Sequence, residues 1–240
     1  MWSICKKEIN QFFSNLTGYI AIVLFLLVNG IFLFMLTDSS IFEYGYASLD
    51  KFFELAPWVL MFLVPAISMR SLSDEFKAGT FEILKTKPLS AWQIVAGKYG
   101  SILLVILIVI VPTFIYIITI RALSASGNID SGGIAGSYLG LFLLAGVFAA
   151  ISLCCSSFTS NAVVSFLVSV FVCLILYFGF SAISRLTFLQ GNYDYYVEML
   201  GIDFHYRSIS RGVLDSRDLI YFASIIFLSL LITVKNLRKK

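Results

Sequence analysis

Few residues of this sequence could carry catalytic or metal chemistry, and they are widely separated along the chain. The one histidine, His205, has no cysteine near it in sequence. Because a zinc site needs three or four clustered ligands, we expect His205 to be a surface residue rather than a metal ligand. The sequence also contains no GxxxxGK[ST] phosphate loop and no HExxH, GxSxG or EF-hand pattern. It therefore predicts no enzyme active site, no cofactor and no metal centre.

The cysteines indicate packing rather than chemistry. None of them forms a Cys-x-x-Cys pair, and three of the four lie in apolar stretches. Free cysteine commonly behaves as a small buried hydrophobic residue, and we expect that role for Cys5, Cys154, Cys155 and Cys173.

The composition is that of an integral membrane protein. Of the 240 residues 59% are hydrophobic and 13% are charged, whereas soluble domains carry roughly 25% charged residues. A soluble fold of this length could not cover so much apolar surface, but a bilayer can solvate it. The net charge of +3 comes from basic residues at the expected membrane boundaries, so the sequence predicts no nucleic-acid-binding patch.

Six segments are long and apolar enough to span a bilayer, which takes about 20 residues. We predict spans at residues 18–36, 55–69, 99–120, 136–155, 162–184 and 219–234. Pro112 lies near the middle of the third span, where it removes one backbone hydrogen bond and should kink the helix. Residues 2–16 place apolar side chains at helical spacing and predict an amphipathic helix that lies in the inner membrane interface.

The predicted spans contain no Asp, Glu, Lys or Arg away from their ends. Such a charge costs about 2.5–3.5 kcal/mol at mid-membrane, and proton-coupled pumps accept that cost because they need titratable relays. No TVGYG-like filter is present either. A secondary transporter or ion channel is therefore disfavoured, and we expect energy to enter from a partner protein.

Lysine and arginine residues predict the orientation of the spans. With the amino end inside, eleven of them fall in cytoplasmic segments and six in external segments. Positive charge is retained on the cytoplasmic side. We therefore expect both termini and the loop 70–98 in the cytoplasm, and the loop 185–218, rich in aromatic and charged residues, packed as short helices at the outer leaflet.

The loop 70–98 contains several residues that typically begin or end helices. Gly79 should end a first helical stretch, Thr80 should cap a short helix, and Pro88 should end that helix. Ser90 with Gln93 three residues later predicts a capping box at the start of the next helix. A glycine group at 132, 133, 136 and 140 predicts a turn followed by a closely packed helix start.

The same loop resembles a known family of membrane proteins. It follows the pattern E-x-x-x-G-T-x-x-x-L-x-x-x-P-[VIL]-S, matched here by Glu75, Gly79, Thr80, Leu84, Pro88, Leu89 and Ser90. This pattern, together with six spans, an interfacial first helix and an outer loop before the last span, resembles the ABC-2 type exporter permeases. The likeness extends over essentially the whole chain.

The resemblance implies an all-α integral membrane fold with a non-catalytic role. In order, it implies an interfacial elbow helix (1–17), two spans (18–69), a coupling loop (70–98), three spans (99–184), an external loop (185–218), a sixth span (219–235) and a basic tail (236–240). The coupling loop would dock on a separate ABC ATPase through Glu75, Gly79, Thr80, Phe81, Glu82, Leu84, Lys85 and Pro88. Phe81 and Leu84 would form an apolar anchor, and Glu82 and Lys85 would supply rim charges. The alternative is that these residues are merely interfacial.

Residues 204–218 look most like the outer loop of the gliding-motility-associated ABC transporter permeases. That branch implies a bacterial inner membrane location and a second permease-type or large membrane protein with an external domain, or else a homodimer. Two alternatives stay open. One is a non-transporting component that transmits force or assembly signals, and the other is a metal-maturation permease like that for nitrous-oxide reductase.

Overall fold

A computed structural model describes residues 2–35, 48–85, 89–123, 130–186, 194–213 and 215–239, with only the backbone of residues 17 and 83–85. Within these ranges the regular structure is entirely helical and contains no strand. The α-helices are α1 (Trp2–Phe13), α2 (Leu16–Phe34), α3 (Asp50–Ser68), α4 (Arg70–Lys77), α5 (Thr80–Lys85), α6 (Ala91–Ile110), α7 (Phe114–Leu123), α8 (Ser131–Phe158), α9 (Ala162–Leu174), α10 (Phe180–Ser184), α11 (Asp194–Glu198), α12 (Ile202–Ile209) and α13 (Ser216–Lys239).

Five helical stretches among the described residues are long and apolar enough to cross a membrane: Asp50–Lys77, Ala91–Leu123, Ser131–Phe158, Ala162–Ser184 and Ser216–Lys239. A sixth is added when α1 and α2, which meet at a bend of 71°, are counted together. The expected all-α membrane fold is confirmed, with each predicted span falling on one of these stretches.

Helix α8 is the central element of the bundle. In its most apolar window 72% of the residues are buried by the rest of the protein, against 22% for the stretch Ala162–Ser184. It packs against α3, α6, α9 and α13. The peripheral helices expose apolar side chains that in a soluble protein would face water, which is the distribution expected when lipid is the solvent.

Pro112 interrupts its helix as predicted. The backbone passes through a 3₁₀ turn at Val111–Thr113 between α6 and α7. Helix α8 covers the break, because the Tyr138 hydroxyl donates to the Thr113 carbonyl at 3.1 Å. The Thr113 hydroxyl donates to the Ile110 carbonyl at 2.6 Å. The hydroxyl and carbonyl of Thr113 are thus bonded within the protein, as an apolar environment favours.

The amino-terminal helix is shorter than predicted and packs partly on the bundle. It ends at Phe13, and its Ile4 and Cys5 side chains are buried while Trp2 is exposed. Its main partner is α6. The helix is amphipathic, as its spacing indicates, and part of its apolar face is therefore covered by protein.

At the opposite end of the bundle, α12 packs closely on the start of α8. A Cβ at Gly136 would come within 3.0 Å of the Gly212 backbone, and Gly212 itself has φ +81°. Ser137 donates to the Ser210 carbonyl at 2.8 Å, and Tyr206 donates to the Phe53 carbonyl at 2.7 Å. The predicted close packing at the glycine-rich helix start is confirmed.

Candidate functional site

The α4–α5 segment (residues 70–85) is a short helical projection between α3 and α6. Helix α4 follows α3 after Met69, and Gly79 with φ +67° reverses the chain into α5. A side chain at this φ would be strained, so the position favours glycine. The Phe76 and Phe81 rings pack edge to face, with centroids 5.1 Å apart, and hold α5 against α4.

Helix α4 is attached to the central helix through one serine. The Ser156 hydroxyl of α8 accepts from the backbone amides of Leu72 and Ser73 at 3.2 and 3.1 Å, and donates to the Met69 carbonyl at 3.1 Å. The two amides belong to the first turn of α4, where backbone N–H groups lack partners within the helix. The junction between α3 and α4 is thereby fixed to the core of the bundle.

A buried group of charges joins this segment to α1 and α6. The Lys98 ammonium of α6 is fully buried and lies 2.9 Å from a Glu8 carboxylate oxygen of α1 and 3.0 Å from Glu75 of α4. It also donates to the Ser71 carbonyl at 2.6 Å. Lys7 reaches the same Glu75 oxygen at 3.6 Å from a side chain that is 62% exposed. We call Lys7, Glu8, Glu75 and Lys98 the ionic cluster.

The two positive and two negative side chains of the ionic cluster balance, and its central ammonium contacts three oxygen atoms. Because ion pairs pay heavily for desolvation, a buried cluster contributes little net stability compared with apolar packing. Removing one partner is costly, however, since it strands the remaining charges. The arrangement therefore fixes the relative positions of three helices, α1, α4 and α6, more than it strengthens the fold.

The predicted docking residues divide into buried and exposed ones. Glu75 belongs to the ionic cluster, Gly79 forms the turn, and Phe81 is buried against Phe76. Thr80 does not cap α5 but lies within it, and its hydroxyl donates to the Glu75 carbonyl at 3.5 Å. Glu82 is exposed.

The remaining predicted docking residues are described less fully. Leu84 and Lys85 lie in α5, where only their backbone is described, and Pro88 lies outside the described residues. The predicted capping box that follows is confirmed: Gln93 N–H donates to Ser90 Oγ at 3.2 Å, and Ser90 N–H donates to Gln93 Oε1 at 3.0 Å. It starts α6 seven residues before Lys98.

Lys98 is a residue of the candidate site that the sequence does not single out, because it stands at the end of the predicted loop 70–98. The structure places it inside α6, in the same helical stripe as buried Ile94 and Ile102. A lysine in phase with such a stripe predicts a buried carboxylate partner. That signal was present in the sequence, although it does not name Glu8 or Glu75.

The expectation that His205 is a surface residue is wrong. Its ring is buried between α12 and α13, with Nε2 2.9 Å from the Met199 carbonyl and Nδ1 2.6 Å from Asp218 Oδ1. Because a carbonyl can only accept, Nε2 is the donor to the Met199 carbonyl. The Tyr221 ring stacks on the imidazole at 3.9 Å. The site is a structural connection between two helices.

Two pKa shifts outside the spans bear on reactivity. Burial, followed by the Glu8 carboxylate, raises the pKa of the Cys5 thiol, so the thiol stays protonated and unreactive at neutral pH. The hydrogen bond that Arg207 donates to Asp203 raises the pKa of Arg207, which also contacts Glu198 at 3.3 Å. Among the described residues no three His, Cys, Asp or Glu side chains are grouped to hold a metal ion.

Residues 2–234 of the chain match the family model described as ABC-2 family transporter protein. No curated protein matches the sequence. The family match covers the α4–α5 segment, the ionic cluster and the described membrane-spanning stretches up to residue 234 of the last one.

Proposed function

The chain belongs to the ABC-2 family of transporter proteins, and we propose that its α4–α5 segment is the docking point for a separate ABC ATPase. It is a multi-pass membrane permease of an ABC system. Permeases of this kind work with a separate ATPase, so the conformational change driven by ATP has to reach the permease through a contact between the two proteins.

The observation that carries the proposal is the ionic cluster. It ties Glu75 on the docking segment to Glu8 on α1 and to Lys98 on α6. A displacement of α4 cannot leave these buried charges unpaired without a large cost. A push on the segment is therefore passed on to α1 and α6 together, which is what coupling to the membrane helices requires.

We propose different roles for the docking residues according to their burial. Phe81 is buried within the chain, so its role is to hold α5 in place, and Glu82 presents the exposed charge. Glu75 would not contact the ATPase directly but would connect the α4–α5 segment to α1 and α6 through the ionic cluster. Leu84, Lys85 and Pro88 remain docking residues in the proposal, on the strength of the family pattern.

The proposal includes an orientation and a setting. The α4–α5 segment and both termini would face the cytoplasm, since lysine and arginine accumulate on that side, and the membrane would be a bacterial inner membrane. The outer-loop resemblance favours a gliding-motility-associated complex. Its other membrane component would be a second permease-type protein, a large membrane protein with an external domain, or a second copy of this chain.

The docking proposal is tested by charge reversal at the exposed position. The ATPase that co-purifies with the tagged permease is identified, and its affinity is measured for Glu82→Lys. We expect at least a tenfold weaker affinity, which corresponds to about 1.4 kcal/mol. Glu54→Lys is the matched control, because Glu54 is also exposed (72%) but lies in the first turns of α3, away from the segment.

Two results would contradict docking at α5. One is unchanged ATPase affinity in Glu82→Lys. The other is an equal loss in Glu54→Lys, which would indicate a general charge effect.

Phe81→Ala is expected to insert normally and to lose ATPase-coupled activity, because α5 loses its contact with Phe76.

A second candidate function is a force-transmitting component that moves no solute. It is favoured by the packed outer end, where Tyr206 and Ser137 fix α12 to α3 and α8. Reconstitution of the complex in vesicles separates the two, since ATP-dependent solute movement supports transport only. A metal-maturation permease would instead show ATPase stimulation by a metal ion.

A further inference from the structure

A lateral cavity of about 660 Å³ lies between α1, α2, α3, α4 and α6. Its walls are mostly apolar and come from the spanning helices, among them Ile20, Leu24, Trp58, Phe62 and Ala66. The size is that of sites that hold a ligand of drug-like mass. Ile20, Leu24, Trp58 and Phe62 are each about half exposed, so the cavity opens sideways, toward the surface that lipid covers.

The end of the cavity nearest the ionic cluster is polar. Glu8 and Gln11 of α1 contribute to it, together with Asn15 just before α2 and with Arg70 and Asp74 of α4. Glu8 is already paired with Lys98. The cavity therefore has an apolar length at membrane depth and a polar end at the interface.

Arg70 and Asp74 give the polar end a definite charge pattern. They are four residues apart and so lie on one face of α4, one turn from each other. Within the described ranges neither side chain forms an ion pair, with the other or with any further charge. Among the described residues, Arg70 and Asp74 thus form a cation and an anion without ion-pair partners at the polar end of the cavity.

We propose that this cavity binds one membrane phospholipid whose headgroup carries a phosphate and a primary ammonium. The phosphate pairs with the Arg70 guanidinium, which can bind it in a bidentate way. The ammonium pairs with Asp74, and one acyl chain lies along the apolar wall. The occupant is a lipid because the mouth opens to the bilayer while the polar residues remain at its edge.

Headgroup contacts decide which lipid is retained. An acyl chain in the cavity exchanges lipid contacts for protein contacts of equal apolarity, so it gains little from the hydrophobic effect. Selectivity must then come from the charged pair. The negative charge of an anionic headgroup without an ammonium would repel the Asp74 carboxylate. A choline headgroup has no N–H that could donate to this carboxylate.

The proposal is independent of ATPase docking and is tested on the purified chain alone. The protein is reconstituted in nanodiscs with equal parts of phosphatidylethanolamine, phosphatidylcholine and phosphatidylglycerol. The lipid that stays bound when the protein is released from the nanodiscs is identified and quantified by native mass spectrometry. We expect phosphatidylethanolamine to be enriched about tenfold, the effect of one charge-assisted contact.

Substitutions locate the bound lipid. Arg70→Gln and Asp74→Asn should each abolish the enrichment, and Ala66→Phe should remove bound lipid by filling the wall. Arg121→Gln is the matched control, an exposed arginine at the end of α7 away from the cavity. It should leave the enrichment unchanged.

A fluorescence measurement gives a second readout. With Trp2→Phe and Trp92→Phe as background, Trp58 in the wall is quenched by lipid with brominated acyl chains. We expect brominated phosphatidylethanolamine at low mole fraction to quench more strongly than brominated phosphatidylcholine, and Arg70→Gln to remove the difference.

Several results would overturn the proposal. Retention of the three lipids in their bulk ratio would show annular lipid only. Preference for phosphatidylglycerol would exclude the ammonium contact. A dimer in which Trp58 is protected from every brominated lipid would show that a second copy of the chain fills the cavity.

Discussion

Replacing Lys98 by methionine tests whether the ionic cluster holds three helices together. Methionine keeps a similar length and volume but removes the ammonium that contacts Glu8, Glu75 and the Ser71 carbonyl. Two carboxylates then face each other without a cation between them. We expect Lys98→Met to destabilise the protein and to release α1 from α6.

The size of the effect follows from the geometry. Both carboxylate oxygens lie about 3 Å from the same nitrogen, so they are at most about 6 Å apart, where like charges repel by roughly 3 kcal/mol at an effective dielectric constant of 20. Breaking a buried ion pair by removing one partner costs about 3–5 kcal/mol in measured cases. We therefore expect a loss of about 3–5 kcal/mol in the free energy of unfolding.

The assay combines equilibrium unfolding in bicelles titrated with SDS and amide hydrogen exchange. Lys98→Met should lower the unfolding free energy by the amount given, and the amides of α1 should exchange faster than those of α8. The triple variant Lys98→Met, Glu8→Gln, Glu75→Gln should recover most of the loss, because it leaves no unpaired charge.

A matched control uses the other lysine of the cluster. Lys7 contacts Glu75 at 3.6 Å but is 62% exposed, so Lys7→Met should cost less than about 1 kcal/mol. The reasoning is refuted if Lys98→Met is as stable as the wild type, or if the triple variant is no more stable than the single one. Unchanged exchange of the α1 amides would refute the claim that the cluster holds α1.

Other contacts give further expectations with the same unfolding assay. Gly140→Ala places a Cβ against the Ile209 side chain and should lower the free energy of unfolding by about 1–3 kcal/mol through overpacking. Ile209→Ala in that background should restore part of this stability. If the two substitutions instead destabilise the protein additively, the contact is contradicted. Tyr206→Phe removes a buried bond to the Phe53 carbonyl and should cost about 1–3 kcal/mol; a neutral result would mean the carbonyl finds another donor. Ser90→Ala removes the capping box of α6 and should cost about 1 kcal/mol, with faster amide exchange confined to the first turn of α6; unchanged exchange there would contradict the role of the cap.

The spans could be predicted because a bilayer-spanning helix is defined by its own residues. A run of apolar side chains long enough for the bilayer is sufficient, whatever it packs against. The ends were less well placed: α13 runs to Lys239, beyond the predicted end at 234, because a helix continues into water as long as its backbone bonds are made. The capping box at Ser90 was likewise predictable, since both partners are three residues apart.

The ionic cluster and the buried histidine could not be fully predicted from the sequence. Glu8 and Lys98 are 90 residues apart, and no local pattern pairs them. His205 is buried because α13 brings Asp218 and Tyr221 over it, which is a consequence of how the bundle closes. Local patterns specify caps, turns and spans, whereas pairing across the bundle depends on the packing of α8 with its neighbours.

The turn at Val111–Thr113 has a consequence for how motion crosses the membrane. A proline break usually gives a helix a hinge, and a hinge would absorb any displacement before it reached the far leaflet. Here Tyr138 of α8 donates to the carbonyl of Thr113, so the chain next to the break is held against the central helix. We therefore expect α6 and α7 to tilt together as one rigid unit about α8.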